Sequence, residues 1–312
     1  MKLLICNYLG IPEQQLARLE ELGFTLAVTK SEKAPEIAEH FDAEAVVGYQ
    51  LFQHYPIENF RKLRVIHTSS AGQDHLPHEY IRSHGIALYN AGGVFSAPIA
   101  EFVLGGVLQL YKFAPLFARQ RQEKLWKARR NQRELRDKRV CIVGAGSIGG
   151  ECAWRFKALG CYVTGLRRHP AEDERYHRVL GMDKLEQVLG ESDIVIVTAP
   201  LTEETYHLFD RRAFAQMKEG AVLCNVARGR ICEEAALIDA LERGKLSGAV
   251  LDVCEEEPLP QASPLWEMEN VILTPHTSFL GEFSNERMAE LLYRNLSAWR
   301  KEQGEEIDKN DN

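Results

Sequence analysis

The sequence predicts an α/β fold built from two parallel sheets, each with helices on both faces. Three observations support this prediction. Short apolar runs alternate with helical patterns along most of the chain, and the alternation begins again after a long apolar helical pattern near Ala97. A chain of 312 residues is also long enough for two domains, and 45% hydrophobic residues suffice for a core in each.

The first series of apolar runs lies ahead of Ala97. A helical pattern over residues 12–22 separates the first two runs, and Gly23 is well placed to end that helix. Regular alternation of this kind is typical of parallel sheets. We predict strands at residues 3–6, 26–28, 45–48, 65–68 and 87–89.

The second series opens with a helical pattern over residues 99–117. The charged stretch 119–138 contains Trp126, and we predict a solvated helix and loop there. An amphipathic helix at 282–301 closes the pattern. Between them we predict strands at residues 139–143, 162–165, 194–198, 221–225, 248–252 and 271–274.

Composition excludes several classes of function. A formal net charge of -7 argues against a nucleic-acid or anionic-membrane partner. The seven cysteines are odd in number and form no CxxC pair, so we expect buried thiols in a reducing compartment and no metal site. No apolar stretch is long enough to span a bilayer, and the first residues reach the polar Asn7 too soon for a signal peptide. We therefore expect a cytoplasmic protein.

A dinucleotide-binding fingerprint follows the strand at 139–143. The sequence GAGSIG at 144–149 matches G-x-G-x-x-G and is followed by a helical pattern. In such a turn Gly144 permits the tight bend, Gly146 lets the backbone approach a pyrophosphate, and Gly149 allows close packing of helix and strand. The helix N-terminus would bind the phosphates. The alternative is a glycine-rich turn without a ligand.

The end of the next strand indicates which nicotinamide cofactor is used. Arg167, Arg168 and His169 stand where an acidic residue would bind the ribose hydroxyls of NAD. Two arginines would instead pair with a 2′-phosphate. We therefore predict a preference for NADP(H), with NAD(H) possible. The alternative is that both arginines are surface charges.

Three further residues could carry out chemistry on a 2-ketoacid. Arg228, Glu257 and His276 each follow a predicted strand, and the carboxyl ends of parallel strands lie at one edge of a sheet. An arginine fork can hold a carboxylate and a ketone oxygen, and a histidine can donate the proton that a developing alkoxide needs. A nearby carboxylate fixes the tautomer of that histidine and favours its charged form. Taken singly, these residues could equally be surface charges and a helix-capping histidine.

In combination the motifs resemble the D-isomer-specific 2-hydroxyacid dehydrogenases, which include glyoxylate/hydroxypyruvate reductases, D-lactate dehydrogenases, phosphoglycerate dehydrogenases and formate dehydrogenase. The resemblance covers essentially the whole chain. It is carried by SSAGQDH at 69–75, APIAE at 97–101, GAGSIG at 144–149, APLTEET at 199–205, NVARGR at 225–230, DVCEEEP at 252–258 and TPH at 274–276.

The resemblance implies a flavodoxin-like substrate domain at residues 1–96 and 283–312, a Rossmann nucleotide domain at 97–282, and a cleft between them. It also implies that Arg228 binds substrate, that His276 is the acid/base paired with Glu257, and that the N–H groups of Ala71 and Gly72 hold the substrate carboxylate. The implied cofactor-binding residues, together with those argued above, are Ser96, Gly144, Gly146, Ser147, Ile148, Gly149, Arg167, Arg168, Ala199, Pro200, Thr205, Val226 and Asp252.

These expectations favour an NADPH-linked reductase of small 2-ketoacids. One alternative is a cofactor-sensing binding module similar to the transcriptional corepressors that resemble these dehydrogenases. Another is an NAD-linked dehydrogenase of the phosphoglycerate type, although Arg167 and the lack of a long C-terminal extension argue against it. We also expect a homodimer in which Trp126 lies near the partner subunit's active site. The alternative for Trp126 is packing on its own helix.

Overall fold

The computed structural model describes residues 1–304, so residues 305–312 of the predicted substrate domain lie outside the described part of the chain. The chain forms two compact units. One consists of Met1–Phe95 together with residues 281–304, and the other of Ser96–Leu280. Each unit contains one fully parallel sheet, which confirms the predicted α/β class with two parallel sheets.

The first unit has a five-stranded sheet in the order β2-β1-β3-β4-β5. This is the doubly wound order of flavodoxin-like folds, in which the chain reverses direction across the sheet between β1 and β3. The strands are β1 Lys2–Cys6, β2 Thr25–Thr29, β3 Ala45–Gly48, β4 Val65–Thr68 and β5 Ala87–Tyr89, and the accompanying helices are α1 Glu13–Ala17, α2 Leu51–His54 and α3 His78–Ser83.

The helix predicted at residues 12–22 is split in the structure. Helix α1 ends at Ala17, and a 3₁₀ helix follows at Glu20–Leu22. Leu19 and Leu22 are both buried, and a spacing of three residues matches one turn of a 3₁₀ helix. Gly23 ends the segment with a φ of 78°, as the sequence predicts.

The second unit has a seven-stranded sheet in the order β12-β11-β10-β9-β6-β7-β8. Its chain reversal falls between β6 and β9, the position at which doubly wound sheets bind their ligands. The helices are α4 Ser96–Tyr111, α5 Ala114–Gln122, α6 Ser147–Ala158, α7 Leu185–Glu191, α8 Arg211–Gln216 and α9 Glu234–Glu242. The strands are β6 Arg139–Val143, β7 Tyr162–Leu166, β8 Arg178–Leu180, β9 Ile194–Val197, β10 Ala221–Asn225, β11 Leu246–Leu251 and β12 Val271–Leu273.

The long helix predicted at 99–117 is in fact two helices, α4 and α5, separated at Phe113, which has a φ of 55°. Helix α4 packs closely on β11, since a Cβ added at Gly106 would lie 2.5 Å from Val250 Cγ1. Within residues 1–304 no single helix is long and apolar enough to cross a membrane, although α4 and α5 pass that test as a pair bent by 64°. Half of the residues of α4 are buried in the core of this unit.

The chain then returns to the first unit through α10 Ser284–Glu302. This helix confirms the amphipathic pattern at 282–301, and its buried face includes Met288, Leu292, Leu296 and Trp299. Strand β8 was not predicted, because it has only three residues and begins with an arginine.

Candidate active site

The glycine fingerprint forms the turn between β6 and α6. Gly144 has a φ of 108°, and a Cβ there would collide with the backbone of Ala199. A Cβ on Gly149 would collide with Gly144 O, so both positions require glycine. A Cβ on Gly146 would meet no atom within 4 Å. The second glycine therefore faces open space, which is where the backbone must admit a pyrophosphate.

The first turn of α6 is available for anion binding. Its N-cap residue, Gly146, provides no side-chain cap, so the first N–H groups of the helix receive no side-chain acceptor from it. The hydroxyl oxygens of Ser147 and Ser96 lie 2.8 Å apart, which brings the start of α4 to this turn. Ser147 is exposed and Ile148 is half-buried. Uncapped N–H groups at a helix N-terminus fit the phosphates of a dinucleotide.

The loop after β9 borders the same turn. Thr198 Oγ1 donates a hydrogen bond of 2.7 Å to Gly144 O, a contact that the sequence did not suggest. Ala199 is buried and Pro200 is exposed. Thr205 Oγ1 donates to Pro200 O at 2.7 Å and accepts from Thr202 N at 2.7 Å. The hydroxyl of Thr205 thus shapes this loop.

Arg167 and Arg168 directly follow β7, so the first two positions after this strand carry no acidic residue. Arg167 Nε donates to His169 O at 2.6 Å. Arg168 Nη2 lies 3.3 Å from Glu204 Oε2, and both side chains are largely exposed. The cation of Arg168 therefore already has a carboxylate partner, which the sequence did not reveal.

His276 and Glu257 form a close pair after β12 and β11. His276 Nδ1 lies 2.9 Å from Glu257 Oε2, and the other carboxylate oxygen accepts from Cys254 N at 3.1 Å. The hydrogen bond to Glu257 raises the pKa of His276 above its ordinary value of 6.5, and it outweighs the opposing effect of burial. The negative charges of Glu257 and Asp252 raise this pKa further. The pair favours the protonated form of His276.

The pKa of Glu257 moves in the opposite direction. Burial alone would raise it, but the hydrogen bond and charge of His276, the Cys254 N–H and the charge of Arg228 together lower it below its usual range. Because Arg228 affects the pKa of both His276 and Glu257, its guanidinium lies close enough to the pair to act on it electrostatically. The structure thus groups the three residues predicted to be catalytic.

Asp252 holds the turn that carries His276. Its buried carboxylate accepts from Thr274 Oγ1 at 2.7 Å, Thr277 N at 2.8 Å and Ser278 N at 3.0 Å. His276 N donates to Asp252 O at 2.8 Å, and His276 has a φ of 53°. These contacts on both sides fix an unusual backbone conformation for a non-glycine residue.

Arg228 is positioned by the residues around it. Asn225 Nδ2 donates to Arg228 O at 3.0 Å, and Arg228 Nη1 donates to Ala227 O at 2.8 Å. A Cβ on Gly229 would collide with the backbone at Cys254, so the loops after β10 and β11 are in direct contact. Val226, predicted to contact the nicotinamide, is buried between these loops and β9, with its N–H donating to Val197 O at 3.3 Å.

In the first unit, Ala71 and Gly72 lie in the loop after β4. Ala71 O accepts from Asn90 Nδ2 at 3.1 Å, and Gly72 O accepts from Ser70 Oγ at 2.6 Å. Their own N–H groups have no acceptor within the described residues. A loop with occupied carbonyls and available N–H groups is suited to binding an anion.

The segment after α5 contains an exposed apolar surface. Trp126 is fully exposed, and the neighbouring Leu125 is 48% exposed. Both line a cavity of about 540 Å³ that also includes Phe117, Arg121 and Lys127. Trp126 therefore does not pack into its own unit, in contrast to the alternative considered for it from the sequence.

Sequence reasoning missed a second histidine–carboxylate pair. His207 Nε2 lies 2.6 Å from Glu255 Oε1. Glu255 belongs to the DVCEEEP segment, and His207 follows the APLTEET segment by two residues. The sequence does contain one signal for this pair. The DVCEEEP segment has more than one glutamate, so it can supply a carboxylate to a second histidine besides His276.

Comparison with known proteins shows the family to which the chain belongs. A family model described as "D-isomer specific 2-hydroxyacid dehydrogenase, NAD binding domain" matches residues 104–278, more than half of the chain. The chain belongs to the D-isomer-specific 2-hydroxyacid dehydrogenase family. It is accordingly an oxidoreductase that acts on CH–OH groups with a nicotinamide cofactor.

Full-length relatives extend the match beyond the nucleotide-binding region. The chain is 32% identical to the glyoxylate reductase of Korarchaeum cryptofilum, with 93% of this chain and 91% of that protein covered. It is also 32% identical to glyoxylate/hydroxypyruvate reductase B of Escherichia fergusonii, with 96% and 95% covered.

Solved structures show the same fold. A D-isomer-specific 2-hydroxyacid dehydrogenase family protein from Aeromonas salmonicida matches with a TM-score of 0.84 and 29% identity, covering 100% of this chain and 98% of that one. A family member from Xanthobacter autotrophicus in complex with NADPH and MES matches at 0.78 and 28%, with 100% and 98% covered. D-lactate dehydrogenase from Aquifex aeolicus, complexed with NAD and lactic acid, matches at 0.78 and 26%, with the same coverage. The family predicted from the sequence is confirmed.

Proposed function

We propose that this dehydrogenase works mainly as a reductase of small 2-ketoacids, prefers NADPH, and uses His276 as its proton donor. The observation that carries the proposal is the 2.9 Å pair of His276 and Glu257 beside Arg228. The hydrogen bond to Glu257 raises the pKa of His276 and so favours its charged form, which is the form that donates a proton to an alkoxide. The free cysteines, six of them buried, fit a reducing compartment, and we propose the cytoplasm.

The residues of the fingerprint fit a dinucleotide, because Gly146 faces open space and the start of α6 is uncapped. When bound, a reduced nicotinamide supplies the hydride. Arg228 binds the carboxylate and ketone oxygen of the substrate and stabilises negative charge that develops on that oxygen. His276 donates a proton to the oxygen, and Glu257 stabilises the imidazolium and orients its ring.

The substrate class is a 2-ketoacid with a small side chain. Two relatives named above are a glyoxylate reductase and a glyoxylate/hydroxypyruvate reductase, which supports glyoxylate and hydroxypyruvate as first candidates. The available N–H groups of Ala71 and Gly72 are the groups we propose for the substrate carboxylate.

The proposed preference for NADPH rests on Arg167 and Arg168. No carboxylate directly follows β7 to bind the 2′-hydroxyl of NAD, whereas either guanidinium can pair with a 2′-phosphate. Arg168 must share its charge with Glu204, so we propose that Arg167 contributes more. A change of Arg167 to Asp should weaken NADP⁺ binding about 10- to 100-fold and leave NAD⁺ binding unchanged or stronger. Calorimetric titration with both cofactors measures this, and Arg211→Gln, an exposed arginine on α8, is the control.

The decisive experiment measures oxidation of NADPH and NADH against glyoxylate, hydroxypyruvate, pyruvate, 2-ketobutyrate and phenylpyruvate. We expect turnover with NADPH, and the preferred ketoacid identifies the side chain that the enzyme accepts. The change His276→Ala should lower kcat by about a hundredfold or more while cofactor binding persists. Turnover with NADH alone would overturn the cofactor preference. Cofactor binding without turnover of any ketoacid would overturn the proposal in favour of a binding module.

We also propose that the protein is a homodimer whose contact includes Trp126. A fully exposed indole beside the exposed Leu125 is unusual for the surface of a monomer, because exposed apolar patches commonly mark interfaces. Light scattering coupled to gel filtration gives the mass, and we expect twice that of the 35.4 kDa chain. Trp126→Ala should also alter the order of ketoacid preference. A monomeric mass would overturn the dimer, and an unaltered preference would limit Trp126 to assembly.

A further inference from the structure

The second pair, His207 and Glu255, is not part of the proposed chemistry, although Glu255 lies in the same segment as Glu257. His207 Nε2 and Glu255 Oε1 are 2.6 Å apart, and the side chains are 29% and 30% exposed. The other carboxylate oxygen of Glu255 accepts from Glu234 N at 3.1 Å. Glu255 N in turn donates to Glu234 Oε2 at 3.1 Å. Glu255 is thus held through both its side chain and its backbone.

His207 is itself fixed in place. The backbone N–H of His207 donates to the carbonyl oxygen of Arg230 at 2.9 Å, and Arg230 lies two residues beyond Arg228. The ring of His207 stacks on Tyr206 with a centroid distance of 4.1 Å, and the φ of His207 is 48°. His207 therefore connects the loop after β9 with the loop after β10 through its backbone N–H and with the loop after β11 through its imidazole.

These contacts act on Glu257 through a short segment of backbone. Glu255 is two residues ahead of Glu257, and Cys254 N donates to the carboxylate oxygen of Glu257 that does not contact His276. On its other side, the backbone at Cys254 lies against Gly229. Displacement of Glu255 would move Cys254 and, with it, the carboxylate of Glu257.

We propose that His207 and Glu255 form a positioning pair that fixes the 254–257 segment and so maintains the contact of Glu257 with His276. The proposal rests on the function proposed above, in which Glu257 supports His276. Neither residue of the pair is assigned contact with substrate or cofactor. Glu234 is the charged residue that exchanges hydrogen bonds with Glu255; burial has the largest effect on the pKa of Glu234 and raises it, and the charge of Glu255 raises it further.

The test uses the full chain with the changes His207→Ala, His207→Gln and Glu255→Gln, and with Glu256→Gln as the matched control on the same segment. We expect His207→Ala to lower kcat about tenfold while the ketoacid KM changes by less than about twofold, because orientation and not binding is lost. His207→Gln retains a donor and should restore part of kcat. Glu256→Gln should behave as the wild type.

A second readout does not depend on turnover. The titration of His276 is followed by NMR of histidine-labelled protein and is assigned by comparison with His276→Ala. If the pair positions Glu257, His276 titrates at lower pH in His207→Ala and in Glu255→Gln than in the wild type. A role in stability alone would lower Tm and leave this titration unchanged, and that result would overturn the proposal.

The two proposals fail in distinguishable ways. A wild-type enzyme that turns over no ketoacid, but whose His276 titration still moves in His207→Ala, refutes the proposed reductase and supports the positioning pair. An active enzyme in which kcat and the His276 titration are both unaffected by His207→Ala refutes the positioning pair alone. If His207→Ala does not fold, the titration in Glu255→Gln decides, because that change keeps the shape of the side chain.

Discussion

Replacement of Glu257 by Gln removes one negative charge 2.9 Å from His276 Nδ1 and keeps the size of the side chain. Two unit charges at this separation attract each other by about 1.4 kcal/mol even with the full screening of bulk water. This screened value is appropriate because the His276 and Glu257 side chains are 37% and 40% exposed. An attraction of this size corresponds to about a tenfold change in the ratio of protonated to neutral His276.

The sign of the effect on rate follows from the role of His276. With His276 as the proposed proton donor, ketoacid reduction requires the protonated ring, so kcat/KM should fall as the pH rises through the pKa of His276. Glu257 raises that pKa above 6.5, and the wild-type enzyme should keep its activity to correspondingly higher pH. In Glu257→Gln the fall should begin at lower pH. Relative to the wild type, we expect kcat/KM of Glu257→Gln to be about tenfold lower near pH 7.5. The difference should be much smaller near pH 5.5, because low pH favours the protonated ring of His276 in both proteins.

The assay is the initial rate of NADPH oxidation with the preferred ketoacid from pH 5 to 9, at constant ionic strength. Glu256→Gln, with the same change of charge one residue away, is the control and should keep the wild-type profile. A Glu257→Gln profile that falls at the same pH as the wild type would refute the electrostatic role of Glu257. A uniform loss at every pH would assign Glu257 to orientation of the ring alone.

Three further changes test the geometry of the site. Gly229→Ala places a methyl group against the backbone at Cys254 and should destabilise the fold by about 1–3 kcal/mol, seen as a lower Tm; an unchanged Tm would contradict the contact. Gly144→Ala introduces a side chain at a φ of 108° and should abolish binding of both nicotinamide cofactors, measured by fluorescence titration. Glu204→Gln frees Arg168 from its exposed ion pair and should favour NADP⁺ over NAD⁺ by about two- to fivefold; an unchanged ratio would show that Arg168 takes no part.

Two controls accompany these three changes, one for the glycines and one for Glu204. Gly220→Ala introduces a side chain at a positive φ with open space around it, which separates backbone strain from collision. Glu203→Gln removes an exposed charge adjacent to Glu204 without removing an ion pair of Arg168. Normal cofactor binding in both controls would assign the effects on cofactor binding to the contacts and not to general loss of charge or flexibility.

The sequence predicted the strands well because buried parallel strands are short apolar runs with few competing interpretations. Strands β3, β4, β5, β6 and β10 have the predicted bounds to the residue. The helix predicted at 99–117 was less accurate, although Pro115, which stands in the first turn of α5, marks its interruption in the sequence. The break between α4 and α5 falls at Phe113 in a left-handed conformation, which a large apolar side chain gives no reason to expect.

The candidate site shows a similar division. The sequence identified Arg228, Glu257 and His276 from their places after strands, and the structure groups them. The ion pair of Arg168 and Glu204 joins the loops after β7 and β9, which are not consecutive in the chain. Such a contact depends on the sheet order and on side-chain conformations, and neither is encoded in local patterns of apolar residues.

Three ties, each a contact between loops, explain how the carboxyl edge of the seven-stranded sheet keeps a fixed geometry. Asp252 joins the end of β11 to the turn of His276, Gly229 joins the loops after β10 and β11, and His207 joins the loop after β9 to both. The ties at Asp252 and Gly229 connect strands that are neighbours in the sheet, whereas the pair of His207 and Glu255 reaches from the loop after β9 past β10 to the loop after β11. The reacting side chains project from segments held in this way. Substitutions at the ties should therefore change how well His276 and Glu257 meet, whereas substitutions at Arg167 should change which cofactor is bound and leave that contact intact.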